Sequence, residues 1–71
     1  MTIYLMDNYS QKKIWDEPDD LDEAILLMQR RMRSKSVHTF KTKSGKEIWQ
    51  IMYVEPETME LESVYIWEEK E

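Results

Sequence analysis

The chain contains no cysteine, which excludes disulfides, thiolate metal sites and thiol catalysis and fits a reducing cytoplasm. Its one histidine cannot build a zinc site, and its one glycine rules out glycine-rich phosphate loops. No apolar run reaches the roughly 18 residues of a membrane span. The opening MTIYLMDNYS lacks a basic segment followed by a long apolar one, so the chain is read as soluble, unsecreted and cytoplasmic.

What is present points to a small folded domain. At 71 residues, the chain is one domain with a thin core, because a chain of this size buries only about 60% of its unfolded surface. The 41% apolar content is too high for a disordered tail. Three Trp, four Tyr and one Phe are a large aromatic supply for so short a chain, and these rings favour burial. The net charge of −5 conceals a segmentation: residues 1 to 29 sum to −5, residues 30 to 46 to +7 with no acid, and residues 47 to 71 to −7. A basic island therefore sits between two acidic flanks.

The strongest local pattern is a β-hairpin from Val37 to Val54, in which VHTFKTK and EIWQIMYV flank the only glycine. With Ser44-Gly45 as a two-residue turn, Lys43 would face Lys46, Phe40 would face Trp49, and His38 would face Ile51. Phe40 and Trp49 would then share one side of the sheet, with Val37, Ile48 and Met52 on the other.

Taken in order, Thr2 to Met6 reads as a strand whose run of apolar residues suits a central position. Asp7-Asn8-Tyr9-Ser10 is turn-prone, and Lys12 to Trp15 reads as a loop with Ile14 and Trp15 packed down, with a short second strand as the alternative. Asp16-Glu17-Pro18-Asp19-Asp20 announces a helix capped by Asp19 or Asp20; with Asp20 as cap, Glu23 takes the third helical position and the helix runs to about Arg33. Leu21, Ile25, Met28 and Met32, widened by Ala24 and Leu27, form its apolar stripe. Glu55-Pro56-Glu57-Thr58 is a turn, Met59 to Trp67 a last strand of open register, and Glu68 to Glu71 a frayed polar end. The expected architecture is α+β: a two-layer β-α-β-β-β domain with one helix on a mainly antiparallel sheet.

Candidate chemistry is sparse. His38 has Phe40 and Ile51 beside it rather than an orienting group and a nucleophile. The acids Asp16, Glu17, Asp19, Asp20, Asp22 and Glu23 lack the alternating oxygen ligands and central glycine of a Ca²⁺ loop, so they read as a solvated helix start. No enzyme, metal site or cofactor is expected. One short helix covers one sheet face, yet the strands place apolar residues on both. Tyr4, Trp49, Ile51, Tyr53, Tyr65 and Trp67 are accordingly the interface candidates, and a homodimer that also binds another protein through acidic and aromatic surface is the expectation. Size and charge density suit an accessory or inhibitory factor of a virus or mobile element. The alternative is a nucleic-acid-binding module in which Arg30, Arg31, Arg33, Lys41, Lys43 and Lys46 meet phosphates while Phe40 stacks on bases.

Overall fold

The run LESVYIWEE, rich in β-branched and aromatic residues, becomes the middle of the sheet. The computed structural model describes residues 1–7 and 11–70. In it, β5 (Leu61–Glu69) lies between β1 (Thr2–Asp7) and β4 (Glu47–Val54). The outer strands are β2 (Lys13–Ile14) beside β1 and β3 (Ser36–Lys41) beside β4, giving the order β2-β1-β5-β4-β3 with every pairing antiparallel. Helix α1 (Leu21–Met32) lies across one face against β4 and β5. The fold is the α+β two-layer arrangement anticipated from the sequence. Two details of it differ. Lys13 and Ile14 pair with Leu5 and Tyr4 as a short strand rather than a loop, held by the Trp15 N–H donating to the Ile3 carbonyl at 2.9 Å, and this brings Trp15 onto the core. β1 is second from one edge, and the central place belongs to β5. The turn expected at Asn8-Tyr9-Ser10 lies outside the described residues.

The helix begins where an acid can satisfy its free amides. Asp20 is the N-cap and its Oδ1 accepts the Glu23 N–H at 2.8 Å, while the Glu23 carboxylate accepts the Asp19 N–H at 2.6 Å. At the other end Arg33 adopts φ 54, and the N–H groups of Arg33 and Ser34 close on the carbonyls of Arg30 and Gln29 at 3.3 and 3.0 Å. Ser34 is buried just beyond: its hydroxyl donates to the Met52 carbonyl and accepts the Ser36 N–H at 3.2 Å, which docks the helix exit onto the sheet. Ala24 and Met28 face the sheet, with Leu21, Ile25 and Met32 packed at the margin of the core.

Pairing register decides which strand residues meet the helix. Leu5, Ile66, Trp49 and Thr39 stand side by side across the sheet, as do Val64, Ile51 and Val37. These rows form the helix face, and Ile3, Ile51 and Ile66 join Ala24 and Met28 in the buried core. The β3–β4 pairing is one residue away from that expected of a two-residue turn. Phe40 faces Ile48, Thr39 faces Trp49 and Val37 faces Ile51. The cause is the loop: the Thr42 N–H donates to the Lys46 carbonyl at 2.9 Å, so Lys43, Ser44 and Gly45 form a three-residue connection with Gly45 at φ 85. A one-residue slip exchanges the faces, and Phe40 and Trp49 therefore lie on opposite sides.

The second connection is also longer than expected. Met59 at φ 61 and the bonds Met59 N–H to Glu55 C=O (2.7 Å) and Glu55 N–H to Glu60 C=O (2.9 Å) close a wide turn, which sets Val54 opposite Leu61 and Trp49 opposite Ile66. β5 consequently starts two residues later than Met59 and runs on through Glu68 and Glu69, paired with Ile3 and Thr2. Glu68 and Glu69 are thus ordered strand rather than frayed end.

Candidate binding surface

Side-chain alternation turns Tyr4, Phe40, Ile48, Met52, Tyr65 and Trp67 away from α1, onto the open face of the sheet. No other element among the described residues lies over them. Tyr4 and Trp67, neighbours across the β1–β5 pair, stack with ring centroids 5.9 Å apart and planes 19° apart. Phe40 reaches across β4 to meet Tyr65 edge-on at 6.4 Å. In the middle, the Gln50 amide donates to Ser63 Oγ and Tyr65 OH, both at 3.3 Å.

One end of this face is a charged cluster built on Glu69. Its Oε2 lies 2.9 Å from Lys12 Nζ and accepts the Trp67 Nε1–H at 3.1 Å, while Oε1 lies 3.5 Å from Lys46 Nζ. The Lys12 hydrogen bond, and after it the Trp67 indole, hold the Glu69 carboxyl down at about 2; the same bond raises the Lys12 ammonium. Both cations also cover aromatic rings, Lys12 at 4.2 Å from the Tyr4 centroid and Lys46 at 5.5 Å from that of Trp67. Stacking and this cationic cover leave Trp67 only 5% exposed although no layer of the described residues lies above it.

Around the cluster the face is apolar and open. Exposures are 64% for Ile14, 43% for Phe40, 48% for Val54 and 51% for Leu61. Ile14 pairs with Tyr4, Phe40 with Ile48 and Val54 with Leu61, so all four project from this same side. Every strand residue among the large exposed apolar side chains belongs to this face; the remaining ones, Met1, Leu26 and Met59, lie outside strands.

Of the six interface candidates, Tyr4, Tyr65 and Trp67 come together here. Trp49, Ile51 and Tyr53 fall on the helix side. Ile51 is fully buried in the core and offers no surface, and the Trp49 indole N–H is buried with no hydrogen-bond partner among the described residues. The β4–β5 register, which sets Trp49, Ile51 and Tyr53 opposite Ile66, Val64 and Glu62, separates the two groups, not residue type. Sequence reasoning missed Ile14, Val54 and Leu61 as surface, and Glu69 and Lys12 as its charged anchor. Alternation from Tyr65 through Trp67 would have placed Glu69 on the same side.

The basic island disperses. Arg31 pairs with Glu17 at 2.6 Å, an exposed bridge that, with the Trp15 indole, lowers the Glu17 carboxyl. Lys46 belongs to the Glu69 cluster. Arg30, Arg33 and Lys35 line a groove of about 380 Å³ at the helix exit with Leu26, Gln29 and Ser34. Lys41 and Lys43 lie at the far end of β3, about 16 Å along the strand. His38 is exposed opposite Gln50 rather than Ile51. Among the acids at the helix start, Asp20 and Glu23 are engaged in capping and Glu17 in an ion pair, and no three metal-ligating side chains converge among the described residues.

No protein-family model, curated protein or solved structure matches this chain.

Proposed function

We propose that the chain is a non-enzymatic protein-binding module that works through the open face of its sheet, and that a second copy of the chain occupies this face. The observation that carries the reading is the gathering of Ile14, Phe40, Val54 and Leu61 on one side of the sheet, around the half-covered Tyr4 and Tyr65. Apolar side chains left in water at four points on one face gain by being covered, at about 25 cal/mol per Å² removed from solvent. A two-fold pairing of identical faces is closed and needs no further partner. The Gln50–Ser63–Tyr65 hydrogen bonds and the neutralising contacts around Glu69 leave the polar groups of the face satisfied before docking, so covering it strands few of them.

Size sets the expected strength. Four strand spacings by six residues give a face of about 19 by 20 Å, on the order of 400 Å² in projection. A stable subunit interface takes about 800 Å² per partner, so the dimer is weak, with a dissociation constant in the micromolar range. Light scattering after size exclusion, run from about one to about a hundred micromolar, should show the mass rising from one chain to two. A mass fixed at one chain throughout that range would remove the homodimer.

A further inference from the structure

We propose that the free edge of β3 captures an acidic, extended peptide segment as an added strand. The Thr42 N–H bonds to the Lys46 carbonyl, so Thr42 and Lys46 are a hydrogen-bonded pair. Hydrogen-bonded pairs alternate along an antiparallel ladder, so Phe40, His38 and Ser36 bond to β4, while Val37, Thr39 and Lys41 turn their N–H and C=O groups outward. Among the described residues these outward groups meet no partner, and β3 is the last strand of the sheet. Proteins blunt such edges with prolines, bulges or very short strands. β3 has six residues, no proline, and an unbroken register from Ser36 to Lys41.

Charge selects the occupant. Arg33 and Lys35 precede this edge, Lys41 ends it, and Lys43 follows in the turn. None of the four has an ion pair among the described residues, and the sequence has no acid from Arg30 to Lys46. Glu47 is the register partner of Lys41. A second copy is a poor occupant: antiparallel self-pairing about Thr39 sets Lys35 against Lys43 twice, like charge on like. An acidic strand is complementary. Its outward backbone groups complete the ladder, its acids alternate onto the side of Lys41, and its apolar residues fall beside Phe40. This surface is the edge of the sheet, and its variant site, Thr39, points to the helix side, so the test below leaves the open-face dimer unaffected.

The test uses the full chain and a short fluorescein-labelled peptide of alternating glutamate and valine, with a lysine-for-glutamate counterpart, a version N-methylated on alternate amides, and a labelled single-stranded DNA. Thr39→Pro removes an outward N–H without touching a bond to β4, so an edge strand tolerates it. By anisotropy the acidic peptide should bind about tenfold or more tighter than the lysine peptide. Binding should fall about tenfold with Thr39→Pro or with the N-methylated peptide. Amide exchange at Val37, Thr39 and Lys41 should slow when the acidic peptide is bound. Equal affinity for both peptide charges, or undiminished binding of the N-methylated peptide, would overturn the proposal. So would DNA binding that displaces the acidic peptide while leaving those amides unprotected. The N-methylated arm needs no protein variant and holds even if Thr39→Pro unfolds the chain.

Discussion

Ile51 and Met52 are adjacent in sequence and lie on opposite faces, so truncating each to alanine tests the register that divides core from surface. Ile51 is fully buried against Ile3, Ala24, Met28 and Ile66. Removing three buried carbons costs about 2.4 kcal/mol at about 0.8 kcal/mol each. A residual cavity of about 50 Å³ adds about 1.2 kcal/mol at 24 cal/mol per Å³, for a total of about 3.5 kcal/mol. Met52 is half-buried on the open face, where solvent fills the space left behind, so the transfer loss halves to about 1.2 kcal/mol with no cavity. A domain of this length has about 4 to 11 kcal/mol of stability in all, so Ile51→Ala should be marginal or unfolded while Met52→Ala remains native. The assay is urea unfolding followed by far-UV circular dichroism at about one micromolar, below the expected self-association. With a slope near 1 kcal/mol per molar urea, the midpoint should drop by about 3.5 M for Ile51→Ala and about 1 M for Met52→Ala. A larger shift for Met52→Ala would mean that the faces are exchanged and the reasoning is wrong.

Two further outcomes follow from local geometry. Glu69 is held at about 2 against an ordinary 4.5, so its pairing contributes stability that is fully present above about pH 4.5 and lost as pH falls toward 2; Glu69→Gln should make the thermal-stability curve less steep in that window. If the wild-type and Glu69→Gln curves run parallel there, the Lys12–Glu69–Trp67 cluster is not formed in solution. Gly45 has φ 85 and open space where a Cβ would stand, so Gly45→Ala carries backbone strain alone, about 1 kcal/mol, and Gly45→Asn less. Equal melting temperatures for all three proteins would argue against the left-handed turn and the register it sets.

How much of this could be read from the chain depends on how local each determinant is. The helix was legible from Asp20 to Arg33 because its cap, its acidic first turn and its Leu21–Ala24–Met28 stripe are all encoded within one segment. The place of the first hairpin was legible in Gly45, but its register was not. A two-residue and a three-residue connection differ by one position, and composition around Ser44-Gly45 does not distinguish them. That single position put Phe40 on the side opposite Trp49 and Ile51, whereas a two-residue turn would have placed it with them. Glu69 was hidden for another reason: next to Glu68 and Lys70 it has the composition of a solvated end, and its role depends on Lys12 and Lys46, which are far from it in sequence. The basic island was visible as a run of charge. Its division between the two ends of β3 follows from the extended strand that connects them.

A second copy of the chain, on the proposed reading, docks on the open sheet face. Sedimentation equilibrium at about fifty micromolar on the wild type, Leu61→Glu and Leu26→Glu tests it most directly, because Leu61 and Leu26 are equally exposed but only Leu61 lies on that face. The wild type and Leu26→Glu should approach twice the chain mass, while Leu61→Glu stays at one chain, since a glutamate there would be desolvated without a partner. A Leu61→Glu protein that dimerises as well as the wild type would contradict the account.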